Sequence, residues 1–412
     1  MQYNTIFWSI VTILVVQFTW DQIRAALNRS QMSDTLPPQL EGIYDETEYA
    51  RQQQYQRTTG ELSLVEQLFS TVLLLAVLFT GTLGALEGWL AHYIDNTVLL
   101  AVAFIAVATV AMTVISIPFN YYDTFVIEER FGFNKATKKV FWGDMVKNLI
   151  LMLILISVVI GVIVFFHQLT PQWFWVWAWG ILTLFSVGIG YFYSQLIVPL
   201  FNTQTPLEEG SLRDTLFELA QRTGFEIQDV YTIDGSKRST KANAYFTGFG
   251  KRKRIVLYDT LIDELEDEEI AAVLAHEIGH YKKRHIIQGL VIGTLLTGVQ
   301  LWLMSLLLKS PQIAAALGNT SGNPSIILGI IGFFLLFGPL SETLSAGQNV
   351  LSRYNEYQAD AFADTHGYAS ALISGLKKIS SKALSNLTPH PVVVFWTYSH
   401  PTLLQRMDAL DE

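Results

Sequence analysis

The sequence contains no cysteine and few charged residues. The absence of cysteine in 412 residues excludes a disulfide framework and a thiolate metal site. Charged side chains make up 15% of the chain and hydrophobic ones 50%, with a mean hydropathy of +0.32. The formal net charge of −9 argues against a nucleic-acid partner. A chain so apolar and so poor in charge is not typical of a soluble enzyme.

Long apolar runs explain this composition. Any one of them could be a buried core helix, but a soluble domain of this size could not bury seven. We therefore predict a mainly α, polytopic membrane protein with seven transmembrane helices. We expect the first span to be retained, because no basic residue precedes it and it lacks an A-x-A cleavage site. The spans lie at roughly 3–20, 67–86, 98–119, 148–166, 172–195, 286–307 and 325–341.

The basic residues predict the orientation of these spans. Of the 27 Lys and Arg residues, 26 fall in alternate connections on one side, and Lys309 alone falls on the other. By the positive-inside rule the basic side is cytosolic and the N-terminus lies outside. We divide the chain into a membrane domain with five spans, 1–204, and a second domain, 205–412, that includes spans 286–307 and 325–341.

The most informative motif is H-E-x-x-H at His276-Glu277-Ile278-Gly279-His280. Acidic residues precede it and Lys282-Lys283-Arg284 follow it, which favours a helix. Residues four apart share a helix face, so His276 and His280 can bind one zinc ion, with Glu277 close enough to hold a metal-bound water. The alternative is a surface helix that carries two histidines and a glutamate by chance.

The third zinc ligand is expected on another helix. Glu356 and Asp360 lie four residues apart in Asn355-Glu356-Tyr357-Gln358-Ala359-Asp360. Glu356 could bind the metal, and Asp360 could accept the spare imidazole N–H of a ligand histidine. The alternative is an ordinary polar helix face. We predict one Zn²⁺ per chain.

The segments 205–285 and 346–412 are predicted to form one small α+β, zincin-like domain. Residues 210–220 are typical of a helix, and 229–233 and 254–258 of strands. A short strand is also expected at 243–248, before the basic run 251–254. Beside the metal, such a strand would allow an extended peptide to add by backbone pairing, although a plain hairpin is the simpler explanation of the spacing.

Several further segments resemble the M48 zinc metallopeptidases, specifically the Ste24-type CAAX prenyl proteases. Besides HEIGH and NEYQADAFA, the resemblance rests on FVIEERFGFNK in the third connection and PLFN after the fifth span. It also rests on DGSKRS and NAY before the zinc motif, and on SHPTLLQR near the end. One departure is Lys241, where the family usually has His before the Asn-Ala-Tyr stretch.

The resemblance implies a fold, a zinc site and a substrate. Seven helices would enclose a water-filled intramembrane chamber, capped by the cytosolic zinc domain. Zinc would be bound by His276, His280 and Glu356. The edge at Asn243, Ala244 and Tyr245 would pair with the substrate backbone. His400 and Arg406 would lie near the active site, and we expect Arg406 to contact the substrate.

We therefore expect an integral-membrane zinc metalloendopeptidase that cleaves near the C-terminus of prenylated CAAX-type or other membrane-associated proteins. Glu277 would move the proton, and His400 would either donate to the oxyanion or make a structural hydrogen bond. The partners are a peptide or protein substrate, possibly lipidated, and membrane lipids. We expect a monomer.

Three rival interpretations remain open. An intramembrane site-2-type protease would carry the motif within an apolar span, whereas charged residues flank it here. A seven-span transporter or receptor would not need the zinc residues. A quality-control protease similar to the HtpX relatives would need no prenyl group. The absence of an endoplasmic-reticulum retrieval tail favours a bacterial inner membrane over the endoplasmic reticulum.

Overall fold

The computed structural model describes residues 3–227, 229–247 and 254–411. Of the basic run 251–254, only Arg254 lies within these ranges, and residue 248, the last of the strand expected at 243–248, lies outside them. The strands are β1 Gln204–Pro206, β2 Asp229–Ile233, β3 Ala244–Thr247 and β4 Arg254–Tyr258. The helices are α1 Thr5–Arg29, α2 Glu46–Thr80, α3 Thr82–Ala91, α4 Thr97–Tyr122, α5 Lys138–Leu169, α6 Phe174–Phe192, α7 Ser211–Arg222, α8 Asp259–Glu264, α9 Asp267–Lys282, α10 His285–Leu307, α11 Pro311–Ala316, α12 Ile326–Thr365, α13 Ala369–Lys382, α14 Pro391–Thr397 and α15 Leu403–Asp411.

Seven of the helices in the described ranges are long and apolar enough to span a bilayer: α1, α2, α4, α5, α6, α10 and α12. Side chains cap the N-termini of several of these helices. A backbone N–H in the first turn has no partner within its helix, and inside a membrane it has no water partner either. Asn4 accepts from the Phe7 amide at 2.9 Å, and Ser325 accepts from the Leu328 amide at 3.1 Å. The predicted fold class, with seven spans and a small α+β domain, is confirmed.

The second predicted span, 67–86, is wrong at its C-terminal end. The helix stops at Thr80 because Gly81 adopts a left-handed conformation, with φ of +66°. A Cβ on Gly84 would lie 2.1 Å from the Gly318 carbonyl carbon, so two chain segments meet here without side chains between them. Hydropathy alone could not reveal a break that a distant backbone contact imposes.

The small domain contains a four-stranded sheet with the order β1-β2-β4-β3. The predicted strands at 229–233 and 254–258 are confirmed, and they pair in parallel from Asp229↔Arg254 to Ile233↔Tyr258. β3 pairs antiparallel with β4 and forms the sheet edge. Val230 and Ile233 of β2 are both buried but lie on opposite faces of the sheet, because they are three residues apart. Val230 packs into the core of the small domain, and Ile233 packs with Val198 and Val256 on the other face.

Helix α9 is the centre of the small domain. Its Ile270, Leu274 and Ile278 side chains are buried, at 1–3% exposure. It crosses α12 at Gly279, where an added Cβ would lie 2.9 Å from the Ala359 Cα. Two small residues therefore allow the helices to approach closely, and this contact brings the polar face of α9 against α12.

Candidate metal centre

Two histidines on α9 form one side of the site. His276 and His280 lie one helical turn apart, and their Nε2 atoms are separated by 3.1 Å. His276 is buried, whereas His280 is half-buried towards a cavity. The i, i+4 spacing therefore brings both imidazoles together on one helix face, as the motif predicts.

Glu356 on α12 forms the other side. Its Oε2 lies 3.3 Å from His276 Nε2, and its Oε1 lies 3.2 Å from His280 Nε2. One ligand atom from each of the three residues lies within 4.8 Å of the others. Glu356 is only 4% exposed, and among the described residues its Oε2 has no partner of hydrogen-bond geometry. Two imidazoles and a buried carboxylate oxygen that needs a partner fit a zinc ion.

The electrostatics of His276 support this fit. Burial opposes protonation of its ring, but hydrogen bonds to Asp360 and Glu356 outweigh burial and raise its pKa to about 9. The surrounding carboxylates therefore favour a positive charge at this point of the protein interior.

Asp360 contacts His276, and Arg406 in turn contacts Asp360. Asp360 Oδ1 lies 2.7 Å from His276 Nδ1, the position expected for a carboxylate that orients a ligand histidine. Arg406 donates two hydrogen bonds to the same carboxylate, from Nε to Oδ2 at 2.8 Å and from Nη2 to Oδ1 at 2.6 Å. Arg406 is 8% exposed. The Arg406 guanidinium is therefore buried against Asp360, and the substrate contact expected for Arg406 stays a prediction.

A residue that the motifs did not identify, His285, supports His280. His280 Nδ1 lies 2.9 Å from His285 Nδ1, and His285 Nε2 lies 3.1 Å from Gln358 Oε1. If Nε2 of His280 faces the metal, its Nδ1–H donates to His285, which then donates from Nε2 to Gln358. The only signal in the sequence is a histidine five residues after His280. Its reach depends on the left-handed Arg284, with φ of +61°.

His400 and Glu277 lie on the open side. His400 Nε2 is 3.4 Å from Glu356 Oε1, and 63% of its side chain is exposed. Its segment is held by α12, because Arg353 donates to the Val394 carbonyl at 3.0 Å and Asn349 donates to the Trp396 carbonyl at 2.9 Å. Glu277 lines the same cavity as His280.

That cavity joins the metal site to β3 and to the membrane helices. It measures about 590 Å³, and its wall includes Ala244 and Tyr245 of β3, Glu277 and His280 of α9, and residues of α10 and α12. Asn243 lies just before β3, and its carbonyl accepts from the Tyr258 amide at 3.1 Å. Among the described residues no strand pairs with the outer edge of β3. The structure therefore brings the predicted edge, Glu277 and one predicted metal ligand, His280, to one cavity.

Fold and site together define a membrane-embedded metallopeptidase. The profile of the CAAX prenyl protease N-terminal region, with five membrane helices, matches residues 26–203, and that of peptidase family M48 matches 206–412. The chain is 34% identical to the CAAX prenyl protease 1 homolog of Arabidopsis thaliana, covering 92% of this chain and 90% of the relative. It is 31% identical to the human homolog, covering 98% and 95%. The crystal structure of S. mikatae Ste24p superimposes with a TM-score of 0.94 at 31% identity, covering 100% of both chains.

The chain belongs to peptidase family M48 and, within it, to the CAAX prenyl proteases. It is a multi-pass membrane zinc metallopeptidase. The resemblance drawn from the sequence motifs is confirmed.

Proposed function

We propose that this protein hydrolyses peptide bonds near the C-terminus of membrane-associated proteins, with prenylated CAAX-type chains as its substrates. The observation that carries the proposal is the single cavity shared by Glu277, His280 and the edge of β3. Relatives over nearly the whole chain bear the name CAAX prenyl protease, which supports this substrate class.

His276, His280 and Glu356 would hold one Zn²⁺ per chain. When bound, zinc acts as a Lewis acid that polarises the scissile carbonyl and lowers the pKa of water. Asp360 fixes the tautomer of His276, and Arg406 fixes Asp360. These residues keep the ligand set rigid.

Glu277 is the proposed general base. It takes a proton from the attacking water and delivers it to the leaving amine as the C–N bond breaks. His400, exposed at the mouth of the site, donates a hydrogen bond to the oxyanion that develops on the scissile carbonyl. The proton balance closes within the two products, a new carboxyl group and a new amine.

The substrate is proposed to bind as an added strand along β3. Backbone pairing at Asn243–Tyr245 would hold the peptide extended across the cavity, next to His280. Because α10 and α12 also line this cavity, a lipid attached to the peptide would extend between the membrane helices. The cavity would thus be the catalytic end of the chamber expected within the membrane domain.

The experiment that tests the substrate class compares two peptides on purified, zinc-loaded protein. A farnesylated C-terminal peptide and its unmodified counterpart compete in one reaction, with product analysis by mass spectrometry. Preferential cleavage of the farnesylated peptide supports the proposal. Equal cleavage of both would contradict a prenyl requirement and support quality control of membrane proteins.

We also propose that the zinc domain faces the cytosol, of a bacterial inner membrane or alternatively of the endoplasmic reticulum. Because the chain has no cysteine, single introduced cysteines report orientation cleanly. Lys309→Cys is expected to react with an impermeant thiol reagent from outside, and Lys382→Cys only after the membrane is opened. The reverse pattern would contradict the orientation.

A further inference from the structure

The segment that leads into β3, residues 238–243, is hydrogen-bonded to the membrane domain. Its backbone pairs with the connection between α4 and α5, where the Lys135 amide donates to the Arg238 carbonyl at 3.0 Å and the Thr240 amide donates to the Phe133 carbonyl at 3.1 Å. These contacts join parts of the chain that lie about a hundred residues apart. The approach to β3 is therefore set by membrane helices as well as by the sheet.

Two ion pairs reinforce this attachment. Arg238 makes a bidentate contact with Asp144 of α5, at 2.7 Å and 3.0 Å, and also donates to the Phe201 carbonyl at 2.7 Å. Lys241 Nζ lies 2.9 Å from Glu128 Oε2 and 3.1 Å from its Oε1. Bidentate and multiply bonded pairs fix geometry more tightly than single surface contacts do.

Lys241 makes more contacts than the residues of an ordinary surface ion pair do. Its ammonium also lies 3.0 Å from the Tyr55 hydroxyl, which itself donates to Glu128 at 2.6 Å, and 4.4 Å from the centroid of the Phe133 ring. Its carbonyl accepts from Thr260 Oγ1 at 3.1 Å. One residue thus links α2, the end of the α4 span and α8, two positions before Asn243.

We propose that Lys241 is a positioning residue for substrate binding. It acts through Asn243–Tyr245, holding the outer edge of β3 at the register and height that the cavity beside His280 requires. This rests on the proposed function, in which that edge pairs with the peptide. Lys241 lies outside the residues that line the cavity, so its effect is expected on binding and not on the chemical step.

The test measures peptide affinity and turnover separately. In a zinc-loaded Glu277→Gln background, adding Lys241→Met is expected to raise the Kd of a fluorescent C-terminal peptide about tenfold. In the otherwise wild-type enzyme the same change is expected to raise KM by a similar factor, with kcat changed less than about twofold and zinc content unchanged. Lys241→Arg, which keeps the charge, is expected to recover most of the affinity.

Lys382→Met is the matched control, because this lysine makes an exposed pair with Glu264 at 3.8 Å. Its Kd and KM should not change. If Lys241→Met alone fails to fold, Glu128→Gln is added to it, because this second change removes the carboxylate that would otherwise have lost its lysine partner. The same rise in Kd is then expected. In a double-mutant cycle the two changes should be non-additive, since they break one contact.

Three outcomes would overturn the inference: an unchanged Kd in Lys241→Met, additive effects in the cycle, or a loss of zinc together with kcat. Continued cleavage by Glu277→Gln would instead overturn the proposed function. The two failures are therefore distinguishable within one set of variants.

Discussion

The two helices that carry the proposed metal ligands differ in how they connect to the membrane. Helix α12 runs without interruption from Ile326 to Thr365, so Glu356 extends from the seventh span. Helix α9 ends at Lys282, and the left-handed Arg284 separates it from the sixth span. Glu356 thus lies on a helix that continues from a span, whereas His276 and His280 lie on a helix that ends before one. One half of the centre is therefore attached rigidly to a span, and the other half belongs to the small domain.

Changing Glu356, the proposed ligand on α12, is expected to have the largest effect on zinc affinity. Glu356→Gln leaves the shape but removes the buried negative charge between His276 and His280. Zinc affinity in chelator competition should fall by more than the roughly 10–100-fold typical of an outer partner. Asp364→Asn, an exposed change on the same helix, should bind zinc normally. Equal zinc affinity in the two variants would contradict the ligand assignment.

Removing His285, which contacts His280 across the break after α9, is expected to have the next largest effect on zinc affinity. His285→Ala removes the group that orients His280 Nδ1. Zinc affinity should fall about 10–100-fold, with Glu356 still in place. His366→Ala, a histidine that contacts the Phe362 carbonyl, serves as the control. An unchanged zinc affinity in His285→Ala would show that His280 needs no support from this side.

The crossing of α9 and α12 can be tested by packing alone. Gly279→Ala places a methyl group 2.9 Å from the Ala359 Cα, and backbone cannot move aside as a flexible side chain can. The expected loss is about 1–3 kcal/mol in the free energy of unfolding, measured by thermal denaturation. Gly293→Ala on α10, where a Cβ meets nothing within 4 Å, should cause no loss. A neutral Gly279→Ala would contradict the close approach.

The smallest effect is expected at the start of α9. Burial raises the pKa of Glu269, but hydrogen bonds from Lys378, Ser374 and the Glu266 amide lower it below the ordinary value of 4.5. Its contribution to stability is therefore complete above about pH 4.5 and is lost as the pH falls towards the lowered value.

Glu269→Gln should cost about 1 kcal/mol at pH 7, the usual size of a lost helix cap, and the difference from wild type should shrink as the pH falls below 4.5. Thermal denaturation from pH 7 to pH 3 measures this. The exposed Glu268→Gln is the control, and a difference that grows in acid would have the wrong sign.

Local patterns predicted most of the site. The spacing of His276, Glu277 and His280 and the helix signals around them identified α9, and strands β2 and β4 lie where their apolar residues predicted them. The Glu356/Asp360 spacing placed both carboxylates on the face that meets His276. These features depend on neighbours within a turn or a strand, which a sequence displays directly.

What the sequence could not predict depends on contacts between distant segments. The break at Gly81, the reach of His285 across Arg284 and the burial of Arg406 against Asp360 each follow from such contacts. The domain boundary at 204/205 stays a prediction. A family resemblance placed Arg406 near the site, but only the packing shows that its partner is a carboxylate of the protein.

The most direct test of the central claim is Glu277→Gln in purified, zinc-loaded protein, with zinc content and peptide turnover measured on the same sample. The variant keeps the proposed ligands His276, His280 and Glu356, but its residue 277 side chain cannot accept a proton. We expect one zinc per chain, as in the wild type, and turnover reduced by about 10²–10⁴-fold or more. Normal turnover with zinc bound would contradict the mechanism, and loss of zinc would show that Glu277 belongs to the ligand set.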